Sequence, residues 1–122
     1  CAMSPPVQHA SAAAWNDETH VRENRRLYRE KFDAVTPLVA AHLGTARPDA
    51  GFYLWARTPI TDTEFAPGLQ RESTVTVLPG SYLARASGGV NPGEHFVRIA
   101  LVASLDECLE AARRIEAFCR KL

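Results

Sequence analysis

Between residues 74 and 102 the chain reads TVTVLPGSYLARASGGVNPGEHFVRIALV, two apolar runs around a loop dense in Gly, Pro, Ser and Asn. The runs 74–78 and 96–102 are rich in Val, Ile and Leu, have strand length and lack a helical period, so they predict two β-strands. A single charge, Arg98, interrupts the second run. Strand alternation puts Phe96, Ala100 and Val102 on the face of Arg98, and Val97, Ile99 and Leu101 on the other. Both faces are apolar, which predicts a buried guanidinium. Leaving such a charge without a partner costs several kcal/mol, on the order of 3–5 when a pair is broken. Arg98 must therefore meet an anion, and the residues alone leave open whether the chain or a ligand supplies it.

A chain of 122 residues is long enough for one domain with a real core. Lys and Arg number 14 against 14 Asp and Glu, so no net charge draws the chain to nucleic acid or an anionic membrane. No apolar run approaches the roughly 20 residues of a spanning helix, and no basic segment precedes an apolar core. The expectation is a cytoplasmic protein that binds neither membrane nor nucleic acid. Of the three cysteines, Cys108 and Cys119 fall on one predicted helix, about 16 Å apart at 1.5 Å rise per residue. That is too far for a disulfide, and both read as core filler in a reducing compartment, with Cys1 apart from them. His9, His20, His42 and His95 are scattered, with no ligand spacing that predicts a metal.

Along the chain, Ser4-Pro5-Pro6 opens an alanine-rich helix over 7–15. Asn16-Asp17 punctuates it, and Asp17 can cap a charged helix from 18 to about 35 with Val21, Tyr28, Phe32 and Val35 on one stripe. Its five basic residues (Arg22, Arg25, Arg26, Arg29 and Lys31) interleave with acids, Glu18 and Arg22 standing at i,i+4, which predicts a solvated face. Pro37 predicts a kink or restart, and residues 38–43 run on to Gly44 as a C-cap. A strand is expected over 51–57. A helix from Thr61 or Asp62 to about Arg71 should be distorted or shortened at Pro67-Gly68. Ser104 and Glu107 form a capping box for a last helix whose stripe is Leu105, Cys108, Leu109, Ala112, Ile115, Cys119 and Leu122. Three strands covered by helices predict an α+β layered domain. Gly88-Gly89 and Pro92-Gly93 match no nucleotide-binding spacing and read as turn formers.

The order G-F-Y-L-W, then P-G-S, a loop, V-R-I-A-L and an amphipathic helix resembles the C-terminal part of fold-type I, pyridoxal-phosphate-dependent aminotransferases. TVLPGSYLAR, GVNPG and VRIALVASLDEC narrow the resemblance to the bacterial N-succinyldiaminopimelate aminotransferases of lysine biosynthesis. The resemblance implies a fragment of a longer cytoplasmic, homodimeric enzyme. It divides the chain into a large-domain remnant (1–17), a long bridging helix (18–44) and the small α+β domain (45–122). It implies amino transfer between glutamate and an N-succinyl keto-pimelate, amino-acid and keto-acid substrates that carry carboxylates, and contact with the parent's large domain. Arg98 takes the place of the residue that grips the substrate α-carboxylate. Ser81, Tyr82, Arg85 and Asn91, in the loop 79–93, become candidates for a distal or succinyl carboxylate. Their plain alternatives are turn formation, packing and solvation. Neither lysine, Lys31 or Lys121, lies in a Ser-Lys loop like the family's cofactor site. Pyridoxal phosphate is therefore expected in the full-length parent only, with no catalytic or cofactor-binding residue in this stretch and no transamination by it alone. A free-standing carboxylate-binding or regulatory module and a purely structural Arg98 remain as other readings.

Overall fold

The computed structural model describes residues 2–122, so Cys1 lies outside the described residues. Helix α1 spans Pro5–Asn16 and α2 Thr19–Ala40. Strand β1 (Tyr53–Arg57) follows, then helix α3 (Asp62–Ser73) and a two-residue strand β2 (Leu78–Pro79). A helical turn α4 (Gly80–Leu83), strand β3 (Phe96–Ala100) and helix α5 (Leu105–Cys119) complete the chain. The three strands form one antiparallel sheet in the order β1-β3-β2. The expected α+β class is therefore what the chain adopts.

Strand alternation decides where the core sits. Leu54 and Ala56 of β1 and Val97 and Ile99 of β3 point to one face and are buried. Phe32, Val35 and Val39 of α2, Phe65, Ala66 and Leu69 of α3, and Cys108, Ala112, Ile115 and Phe118 of α5 pack onto that face as one cluster. Ser104 accepts from the Glu107 amide while the Glu107 carboxylate accepts from the Ser104 amide, the reciprocal cap the sequence predicts. Asp17 accepts from the Thr19 amide at 2.9 Å, so it does close the start of α2.

Several expectations change. Pro37 does not restart α2, which runs through it. On this helix Arg26 pairs with Glu23 at 2.7 Å and Glu30 at 3.3 Å. No pair joins Glu18 and Arg22 among the described residues. Pro67-Gly68 does not break α3 either. A Cβ on Gly68 would stand 3.0 Å from the ring of Phe118, which itself stacks edge-on with Phe65 at 5.4 Å. The missing side chain thus lets α3 close on α5, and that packing outweighs the weak local propensity of the pair. Phe118, outside the predicted stripe of α5, is buried, whereas Leu122 is exposed.

The run 74–78 forms almost no strand. Thr74 ends α3 in the left-handed region with φ 56°. Residues 75–77 then cross without regular structure, and only Leu78 and Pro79 pair with β3. Cys108 and Cys119 are free, Cys108 in the core. Burial pushes both thiols up, Cys119 to about 11, so they pack as small hydrophobes rather than react as thiolates. No described helix is long and apolar enough to cross a membrane, and no metal-ligand cluster occurs among the described residues.

Candidate functional site

The second face of the sheet is covered only in part by the described residues, leaving Trp55, Phe96 and Arg98 half-buried. Tyr53 and Trp55 of β1, Phe96, Arg98 and Ala100 of β3, and Leu78 of β2 share it. Arg98 lies in the middle strand, opposite Trp55 on one side and Leu78 on the other. Trp55 and Phe96 stack at 5.7 Å and 12°, and the Arg98 guanidinium lies 5.6 Å from the centre of the Tyr53 ring. The guanidinium is half-buried, and its place over the Tyr53 ring contributes a cation–π attraction of about 0.5–1 kcal/mol.

The expectation of a guanidinium enclosed between two apolar faces is corrected: only one face of β3 is core. Among the described residues no ion pair or hydrogen bond reaches the Arg98 side chain, and its Nε is buried without a partner. A buried donor left unmade costs roughly 1–3 kcal/mol, and the atom points to an acceptor the described residues do not provide. Sequence reasoning had not marked Tyr53; only the pairing of β1 with β3 brings it beside Arg98.

Of the loop candidates, Ser81 and Asn91 are engaged in building the loop. Ser81 donates from its amide and its hydroxyl to the two oxygens of the Asp62 carboxylate, each at 2.9 Å. Asn91 donates to the Ser81 carbonyl at 3.1 Å and accepts from the Gly93 amide at 2.9 Å. Tyr82 is 75% exposed and Arg85 is exposed as well. Neither makes a hydrogen bond among the described residues, so both are available to a ligand. Gly88 and Gly89 adopt φ +59° and +80° inside a two-residue turn closed by Ser87 and Val90, the geometry of a tight hairpin turn. They are turn formers, as their spacing predicts.

The sequence offers Thr61 or Asp62 as the start of α3, and the structure gives Asp62 a larger part. Its carboxylate is buried (1% exposed) and accepts, besides the two bonds from Ser81, one from the His95 amide at 3.0 Å. Burial disfavours its ionisation, yet the bonds from Ser81 and His95 outweigh that and hold the carboxyl below its ordinary 3.8. A depressed folded-state value means that Asp62 stabilises the fold above the ordinary value and that this contribution is lost as pH falls through the folded one. Thermal midpoints measured from pH 6 downward should therefore decline in the acid range below about 4, and Asp62→Asn should flatten that decline.

Lysines complete the inventory. Lys31 donates to the Leu101 carbonyl at 3.0 Å and lies over Tyr28, and Lys121 pairs with Glu72 at 3.1 Å. Neither stands on the Arg98 face, so the lysines here do not fit a Schiff-base site for pyridoxal phosphate.

A small three-stranded antiparallel sheet with helices on one face matches the small domain of aminotransferase structures, and the chain belongs with the C-terminal part of the fold-type I aminotransferases. Among solved structures, it superposes on an aminotransferase from Neisseria meningitidis with a TM-score of 0.87 and 50% identity, over 95% of this chain and 30% of that one. A probable N-succinyldiaminopimelate aminotransferase from Thermus thermophilus gives a TM-score of 0.72 and 36% identity, over 88% and 28%. Among curated proteins, the LL-diaminopimelate aminotransferase of Maridesulfovibrio salexigens is 35% identical over 113 residues, 89% of this chain. Transaminase BacF of Bacillus subtilis is 33% identical over 114. The chain spans 28% of the M. salexigens relative and 27% of BacF. No protein-family model matches the chain.

Proposed function

We propose that this chain is the substrate-carboxylate half of a pyridoxal-phosphate-dependent aminotransferase. In this reading Arg98 receives the α-carboxylate of the amino-acid or keto-acid substrate. The observation that carries it is the Arg98 Nε, buried, unpartnered and set on a sheet face that the described residues cover only in part. A guanidinium offers a carboxylate two parallel hydrogen bonds and so fixes its plane, which a lysine cannot do. The loop then divides its labour. Tyr82 and Arg85 reach the distal acid group of the substrate, while Ser81 and Asn91 keep the loop in shape.

The cofactor, bound by residues outside this chain, supplies the electron sink for amino transfer. The large domain of the parent covers the Arg98 face, with residues 1–17 as its remnant and 18–44 as the bridge to the domain 45–122. The exposure of Trp15 (84%) and Val7 (49%) on α1 supports that division, and the parent is read as a cytoplasmic homodimer. The proposed reaction moves an amino group between glutamate and an N-succinyl keto-pimelate, a choice supported by the likeness to the Thermus protein. LL-diaminopimelate is the second reading, favoured by the relatives that carry that name.

Expression of the complete reading frame containing this chain, followed by assay with both substrates, tests the proposal. Amino transfer that depends on added pyridoxal phosphate, and a preference for the succinylated substrate, are expected. A protein inert toward both substrates would overturn the reading.

A further inference from the structure

The loop 81–95 leaves the sheet after β2 and returns at β3, and both of its roots are tied to one buried group. At the first root, Ser81 presents two donors to Asp62. At the second, the His95 amide presents a third. His95 takes a left-handed φ of 64°, uncommon for a residue with a side chain although His adopts it more readily than most. The surroundings here are specific. The His95 carbonyl accepts from the Thr58 amide at 2.8 Å and the Thr58 hydroxyl at 3.1 Å, and its Nδ1 stands 3.3 Å from the Ile60 carbonyl. From Ser81 the network runs on through Asn91 to Gly93. Gly93 in turn lies so close to Gly80 that neither position has room for a Cβ.

We propose that Asp62 is a positioning residue that sets the distal half of the binding site by latching both ends of the 81–95 loop to the first turn of α3. The proposal rests on the carboxylate-binding reading of Arg98 and extends it. β3 is held independently through five register pairs with β1, so Arg98 keeps its place when the latch is released. The loop is held differently: residues 85–90 are exposed, the Ser81 root is tied to α3 through Asp62, and the His95 root is shared between Asp62 and the bonds to Thr58. Releasing the latch should therefore affect recognition of the part of the substrate remote from the α-carboxylate. Asn at position 62 keeps one acceptor oxygen but turns an amide NH2 toward donors, so it breaks part of the latch at nearly constant volume.

The test compares glutamate with α-aminobutyrate, which has the same α-carboxylate but no distal acid, as amino donors for the complete enzyme. The readout is the ratio of their kcat/KM values. Asp62→Asn should lower that ratio about tenfold, the size expected when hydrogen bonds to a charged group are lost, chiefly through KM for glutamate. Ser81→Ala, which removes one donor of three, should move it in the same direction by less, and keeps the test informative if Asp62→Asn folds poorly. Both variants at the wild-type ratio, with only their thermal midpoints lowered, would reduce Asp62 to a structural clamp and overturn the proposal. A glutamate KM and kcat/KM that Arg98→Ala leaves unchanged would instead overturn the reading of Arg98, and the proposal with it.

Discussion

Arg98→Ala in the complete enzyme is expected to lower kcat/KM for the amino donor by roughly 100- to 1,000-fold, the equivalent of losing about 3–4 kcal/mol of a charge-assisted, two-point contact. Most of the loss should appear in KM, because the carboxylate is held in the ground state as in the transition state. Arg98→Lys should restore only a minor part, since an ammonium supplies charge without the planar fork. Stability should respond differently. The guanidinium has no acidic partner among the described residues, and its contact with Tyr53 is half open to solvent, so removing it forfeits at most about 1 kcal/mol of packing. Steady-state kinetics beside a thermal melt separates these effects. A structural arginine would show the reverse pattern, with a large drop in midpoint and little change in KM.

Gly93→Ala should be among the most destabilising single substitutions in the chain. A Cβ there would collide with the backbone of Gly80 and come within 2.9 Å of the Ala84 side chain. At Gly80 it would approach the Phe96 carbonyl at 2.8 Å and the Trp55 ring at 3.0 Å. Backbone atoms cannot rotate aside, so relief requires the two ends of the loop to separate. Overpacking of this kind costs about 1–3 kcal/mol and occasionally more. For a domain of this size that lowers the melting temperature by roughly 5–15 °C. Gly89→Ala provides the contrast. Its φ of +80° disfavours a side chain, but nothing lies within 4 Å of the position, so only the backbone term of about 1 kcal/mol applies. Melts of the two variants should differ by several degrees, and equal midpoints would refute the close approach of Gly80 and Gly93.

Local signals in the sequence located most elements. The Ser104–Glu107 box, the stripe of Phe32 and Val35, and the strand around Leu54 and Ala56 each depend on residues a few positions apart, and each stands where its pattern puts it. Non-local facts were not legible. A β-rich composition at 74–77 predicts strand, but the left-handed turn at Thr74 spends those residues on crossing from α3 to the sheet. Pro67-Gly68 looks like a break because the sequence does not show Phe118 waiting across the interface. Arg98 was identified by its oddness in an apolar run, yet alternation alone could not tell which face the helices would cover. Asp62 was visible only as a helix start, because its donors arrive 19 and 33 residues later. The inner layout of the loop therefore had to come from the structure, which engages Ser81 and Asn91 within the loop and leaves Tyr82 and Arg85 exposed.

The most direct test of the central claim observes the guanidinium itself. In the complete enzyme labelled with nitrogen-15, the Arg98 Nε–H resonance, assigned by its loss in Arg98→Lys, is followed while 2-oxoglutarate is added. A carboxylate arriving at this face should shift that resonance downfield and saturably, as a buried donor gains its acceptor. A resonance that stays in place while 2-oxoglutarate binds elsewhere would contradict the account.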